Sequence, residues 1–137
     1  MKFEHIPAEQ LHSAWASIRE GVEKVRTKGK EGWFPEDVYS ELREKRAFLV
    51  LGIEERLVGF FIWHKQIEPF TNEPLLNVWC LHGEEALGFR DETIAELDRI
   101  AKALGIKRIR LGGRKGWAKV LKEQFEPIRV VYERVLT

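Results

Sequence analysis

The chain has one cysteine, two tyrosines, one methionine at its start, and almost no excess of charge of either sign. The lone Cys80 excludes an intramolecular disulfide and any zinc site built on cysteines, which fits a reducing compartment. A formal net charge of +1, from 23 basic and 22 acidic side chains, points to no polyanionic or polycationic partner by its total. Uninterrupted apolar runs are short, and none approaches the ~18 residues of a membrane-crossing helix. The opening MKFEHIPAEQ lacks the basic-then-apolar order of a secretory leader. Together these absences predict a cytoplasmic protein with no membrane contact.

What is present is an ordinary globular composition, 44% hydrophobic and 33% charged over 137 residues, enough for one domain and its core. The charge is unevenly spread. Ile106 to Lys122 holds seven basic residues and no acid, whereas Glu84 to Asp98 holds six acids against Arg90 alone. Five tryptophans, at 15, 33, 63, 79 and 117, fall on apolar faces except Trp33, and core packing accounts for them.

Periodicity orders the chain. Lys2 to Ile6 reads as a strand ended by Pro7. From Ala8 to Lys28, Leu11, Trp15, Ile18, Val22 and Val25 recur at helical spacing, with Gly21 a weak point. A Gly- and Lys-rich breaker, Thr27 to Trp33, precedes a second helix that starts at Pro35 and ends near Arg46, with Val38 and Leu42 facing inward. AFLVLGI and LVGFFIWHK form a hairpin across Glu54, Glu55 and Arg56; both are nearly continuously apolar, as in a sheet covered on both faces.

Leu75 to Leu111 then reads strand, loop, helix, strand: LLNVWCLHG, EEALGF, RDETIAELDRIAKALG and IKRIRL. That is a βαβ unit, whose crossover helix begins with backbone N–H groups suited to an anion. After Gly112-Gly113, WAKVLKEQ (Trp117 to Gln124) reads as a short helix with Val120 and Leu121 buried, and IRVVYERVL (Ile128 to Leu136) as a last strand. The order β-α-α-β-β-β-α-β-α-β predicts an α/β fold, a mixed sheet with helices on both faces, as a single domain over 1–137.

This order, the hairpin LVLGIEERLVGFFIW with its V-G, and the ending GWAKVLKEQFEPIRVVYERVL resemble the GNAT acyltransferase superfamily across the whole chain. The run GRKGW also resembles small GNAT-like proteins of tailed phages. The resemblance implies acetyl transfer from acetyl-CoA to an amine, on a small molecule or a protein. It implies that the fourth and fifth strands splay apart. The pantetheine arm is then expected along Trp79, Cys80 and Leu81, and the pyrophosphate on the loop Leu87, Gly88, Phe89 and Arg90, with Arg114 nearby. The family's pyrophosphate pattern aligns with Glu85 to Arg90, where Gly88 matches while Glu85 and Arg90 depart from it.

For the base that deprotonates the amine, position at the end of the fourth strand selects His82 and Glu84. His64, closing the third strand, and Glu68 are expected on the acceptor side. The last helix has no tyrosine to protonate the leaving thiolate, and Tyr132 lies beyond the place where the family carries it. An alternative stays open, in which the chain is a catalytically silent GNAT-fold interaction or structural protein. Nucleic-acid contact through Arg114, Lys115, Lys119 and Lys122 is the weaker reading of the basic run, since no nucleic-acid motif accompanies it. A homodimer is among the assemblies the sequence allows.

Overall fold

The computed structural model describes residues 1–113, 117–121 and 123–136. Strand β1 (Lys2–Ile6) leads through a 3-10 turn (Ala8–Gln10) into α1 (Leu11–Gly29) and α2 (Pro35–Arg43). Then follow β2 (Phe48–Ile53), β3 (Leu57–Ile67), β4 (Pro74–Gly83), a 3-10 turn (Glu85–Leu87), α3 (Phe89–Leu104), β5 (Ile109–Leu111) and α4 (Trp117–Val120). The described strands form one sheet in the order β1-β2-β3-β4-β5, antiparallel except for the β4–β5 pair. The mixed sheet and the crossover through α3 agree with the α/β reading of the sequence.

Both faces of the sheet are covered, which is why β2, and β3 from Leu57 to Trp63, are apolar, whereas Lys65 to Ile67 at the end of β3 are exposed. On one face Leu11, Ile18 and Val22 of α1 and Val38 and Leu42 of α2 pack on Leu49, Phe60, Ile62 and Cys80. On the other, Leu97, Ile100 and Ala101 of α3 pack on Val50, Phe61, Trp63, Leu76 and Val78. Burial of this stripe outweighs the helix-weakening effect of Gly21, and the structure explains that glycine. A β-carbon there would stand 2.6 Å from the Phe60 ring and 2.9 Å from the His82 ring, so α1 approaches the sheet closely only without one. At α2, Pro35 fixes the first turn and the Asp37 carboxylate accepts the Phe34 N–H at 2.8 Å.

A β-bulge interrupts β4. Ile62 lies opposite Cys80 and Trp63 opposite Val78, so Trp79 is the extra residue. Before it, Leu76 and Val78 face α3; after it, Cys80 and His82 face α1. One inserted residue thus turns the end of β4 toward the α1–α2 layer.

The carboxy-terminal segment differs from the sequence expectation. Residues 128–136 form no strand, and Ile128, Val130, Val131, Tyr132, Val135 and Leu136 are 63–89% exposed. The physical reason is the shortness of β5, whose three residues offer too brief an edge for a nine-residue ladder. Helix α4 is also shorter than Trp117 to Gln124. Leu121 is buried as expected, but Val120 is exposed. Strand β5 starts at Ile109, because Ile106 is used instead to seat the exit of α3 in the core.

Candidate functional site

The parallel pairing of β4 with β5 runs only from Leu76 opposite Ile109 to Val78 opposite Leu111. Beyond it the chain leaves β5 at Gly112, while β4 continues through Trp79, Cys80, Leu81, His82 and Gly83. Among the described residues no strand pairs with the outer edge of this second half of β4. The edge therefore presents backbone donors and acceptors to a ligand, and it runs directly into the turn before α3.

That turn has an inner and an outer side. Leu87 N–H donates to the Glu84 carbonyl (3.1 Å) and Gly88 N–H to that of Glu85 (3.0 Å). Gly88 adopts φ 72°, ψ 20°, a left-handed conformation that strains residues with a β-carbon. The Glu92 amide bonds back to the Gly88 carbonyl at 3.2 Å, which leaves the amides of Phe89, Arg90 and Asp91 ahead of the intrahelical ladder. On the inner side the Phe89 ring is 2% exposed and lies across a row of glycines. Register sets Gly52 opposite Gly59 and Gly59 opposite Gly83, so three neighbouring strands lack a side chain where the ring sits. Phe89 is thus a packing residue with almost no surface of its own.

On the outer side an open depression is lined by Gly88, Asp91, Glu92 and Ala95. The half-buried Arg90 lies beside it. Its Nη1 donates to Glu85 Oε2 at 3.0 Å, whereas its Nε, 3.6 Å from Asp91 Oδ1, is buried without a hydrogen-bond partner, so the chain's own acids engage this guanidinium only in part. Leu87 is exposed in the same turn.

Of the residues expected along β4, Trp79 is half-buried against the α1–α2 core and Leu81 against the α3 core. Cys80 is fully buried, and desolvation, reinforced by the charge of Glu31, pushes its thiol up to about 12. It is an inert packing residue. Arg114 lies outside the described residues, as do Lys115 and Lys122.

His82 packs on Gly21 and on the Phe60 ring, 5.8 Å between centroids. Burial holds its imidazole below the usual histidine range, and the charges of Lys24 and Lys28 push the same way against Glu20. The ring is therefore neutral at pH 7 and able to accept a proton. Glu84, two residues on, points outward to Arg56 of the β2–β3 turn at 2.7 Å. That hydrogen bond holds its carboxyl below the ordinary range, which weakens it as a base. The structure does not bring the two candidates together.

His64 belongs to a group that sequence reasoning missed. Asn77, across the β3–β4 ladder, bonds its Nε2 at 2.7 Å, and the Trp79 ring lies 5.7 Å away. Trp33 also packs edge-to-face on Trp79, 5.6 Å between centroids, so the α1–α2 loop covers the bulge. Burial lowers the His64 pKa as well. Glu68, expected beside it, instead accepts the amides of Phe70 (2.9 Å) and Thr71 (3.0 Å) within its own loop. The signal for the Trp33 contact was the one tryptophan outside an apolar stripe; the rest depends on register.

No family model matches the sequence, and no curated protein matches it. Solved structures do match. A ribosomal-protein-alanine N-acetyltransferase from Brucella melitensis is 12% identical with a TM-score of 0.71, covering 100% of both chains. A predicted acetyltransferase from Clostridium acetobutylicum, solved with acetyl-CoA, is 16% identical with a TM-score of 0.70, over 98% of this chain and 95% of that one. An aminoglycoside acetyltransferase from a soil metagenome, in complex with sisomicin, is 16% identical with a TM-score of 0.68, over 99% and 96%. At such identities the likeness is one of fold: over its whole length the chain has the fold of the GNAT acetyltransferases.

Proposed function

We propose that residues 1–137 act as a single-domain acyltransferase that moves an acetyl group from a thioester donor to an amine of a small molecule or protein. The observation that carries this reading is the open edge of β4 from Trp79 to Gly83, leading to the free amides of α3 in a GNAT fold. A thioester donor supplies an activated carbonyl carbon and a sulfur leaving group.

The two ends of acetyl-CoA fit this site unequally. The pantetheine arm carries amides that match a strand edge, so backbone groups of Trp79, Cys80 and Leu81 would hold it as an added strand. The diphosphate end does not fit. The first amides of α3 suit an anion, but Glu85, Asp91 and Glu92 stand around them and the one guanidinium among them, Arg90, donates its Nη1 to Glu85. No step is assigned to that end.

The chain's own residues would do three things. The β4 edge orients the thioester. Trp33 and Trp79 shield the bulge from water, so that the acceptor approaches a partly dry surface. His82 is the assigned base: as the amine nitrogen bonds to the carbonyl carbon and the carbon–sulfur bond breaks, the amine's proton passes to the imidazole and the sulfur leaves as thiolate. Glu84, bound to Arg56, fixes the strand end beside it.

The test is transfer from acetyl-CoA and S-acetylpantetheine to a panel of amines, with binding read by calorimetry. Activity is expected to fall about 100-fold in His82→Gln with the fold retained. Binding of neither thioester at millimolar concentration overturns the reading. Binding without transfer to any amine would favour the second reading, a GNAT-fold interaction protein, for which the engagement of Arg90 by Glu85 and Asp91 speaks.

A further inference from the structure

We infer that the outer side of the turn before α3 selects against nucleotide-bearing thioesters, so that the donor is an acylated pantetheine arm without the adenosine diphosphate and 3′-phosphate of CoA. The inference rests on the thioester reading above and names its donor class.

A helix N-terminus attracts anions through three or four free amides and a partial positive charge, an attraction of one short turn. Here that same turn carries three carboxylates, Glu85, Asp91 and Glu92, against one guanidinium, Arg90. Glu85 and Asp91 are 66% and 71% exposed, so they stand at the rim where phosphate oxygens would approach, and Glu92 and Asp91 line the depression itself. Arg90 is a single guanidinium against these three carboxylates, and its Nη1 is held by Glu85. The arm-binding part of the site has no such conflict. The edge from Trp79 to Gly83 is backbone, flanked by half-buried Trp79 and Leu81. Geometry thus keeps the arm's seat and charge works against that of the polyanion.

The experiment compares binding of acetyl-CoA and of S-acetylpantetheine by calorimetry to the wild-type chain and to the triple variant Glu85→Gln, Asp91→Asn, Glu92→Gln. In the wild type, acetyl-CoA is expected to bind no more tightly than S-acetylpantetheine, and raising salt from about 50 mM to about 300 mM is expected to leave its affinity unchanged or to strengthen it, since salt screens a repulsion. The triple variant is expected to bind acetyl-CoA about tenfold more tightly and S-acetylpantetheine within about twofold of wild type. Acetyl-CoA affinity that falls steeply with salt in the wild type overturns the inference. So does a triple variant, folded by circular dichroism, that gains nothing for acetyl-CoA or gains equally for both ligands. If that variant fails to fold, the salt dependence of the wild type decides. Failure of both ligands to bind overturns the thioester reading itself, which is distinguishable because S-acetylpantetheine never meets the acidic rim.

Discussion

The inner and outer sides of the turn from Glu84 to Glu92 are built on opposite terms. Inside, Phe89 occupies a row of three glycines from three strands, and Thr93, one turn later, is fully buried as well. Outside, the four acids Glu84, Glu85, Asp91 and Glu92 face solvent around the half-buried Arg90, joined by ion pairs of the kind that contribute little to stability. The contrast separates two properties that a helix N-terminus usually combines. Where the amides stand is decided by apolar packing on the sheet, and what they attract is decided by a few surface charges. A site can therefore keep its geometry while its preference for an anion is altered.

The strongest way to break this comparison is to disturb the inner side. Phe89→Ala removes a ring buried against three strands and is expected to cost about 3–5 kcal/mol, read as a drop in the urea midpoint. Gly83→Ala places a β-carbon against the Phe89 ring, whereas Gly59→Ala places one 2.6 Å from the Gly83 and His82 backbone. Gly59→Ala also meets the Phe89 ring, at 2.9 Å, but its nearest contacts are backbone, so adding Phe89→Ala should relieve much of the Gly83→Ala penalty and only a small part of the Gly59→Ala penalty. Equal rescue of both would mean that the ring is not what the glycine row accommodates.

The strand entering the turn repeats the contrast, with His82 packed inward and Glu84 outward. Burial, Lys24 and Lys28 keep the His82 imidazole below its ordinary pKa, and burial does the same for His64. Each binds fewer protons folded than unfolded near the ordinary value of ~6.5, so stability is complete above that pH and declines as pH falls below it. His82→Gln should flatten that decline between about pH 6.5 and 5 in chemical denaturation. An unchanged slope would show the ring to be as solvated as in the unfolded chain.

Most elements of this fold could be read from periodicity because each has a clear phase: the stripe of α1, the hairpin of β2 and β3, the stripe of α3. The bulge could not. Val78, Trp79 and Cys80 are all apolar, so alternation carries no mark where the phase shifts, and the inward turn of Cys80 and His82 emerges only from the register with β3. The tail failed for a related reason. Its composition suits a strand, but a strand needs an edge, and β5 supplies three residues. Within the site, Gly88 was legible as a turn glycine. The role of Phe89 was not, since Gly52, Gly59 and Gly83 are scattered in sequence and aligned by pairing alone. Glu84 looked available as a base because its partner, Arg56, is 28 residues earlier in a different turn.

Two smaller effects sharpen the outer side. Asp91 and Glu92 lie in the first turn of α3, where acids favour the helix dipole, so Asp91→Asn and Glu92→Gln should each lower stability by about 0.3–1 kcal/mol even while easing the approach of an anion. That sign matters, because a tighter-binding variant that is also slightly less stable separates recognition from packing at the same residues. Smallest of all is the expected effect of Arg56→Gln. The Arg56–Glu84 pair is solvent-exposed, so its loss should leave the thermal midpoint unchanged within error. The same substitution should nonetheless raise the titration of the Glu84 carboxyl, followed by NMR, because the Arg56 hydrogen bond is the largest influence holding it down. A titration that stays depressed without Arg56 would place the cause in the backbone of the turn. The outer side would then be organised by its fold as firmly as the inner side is.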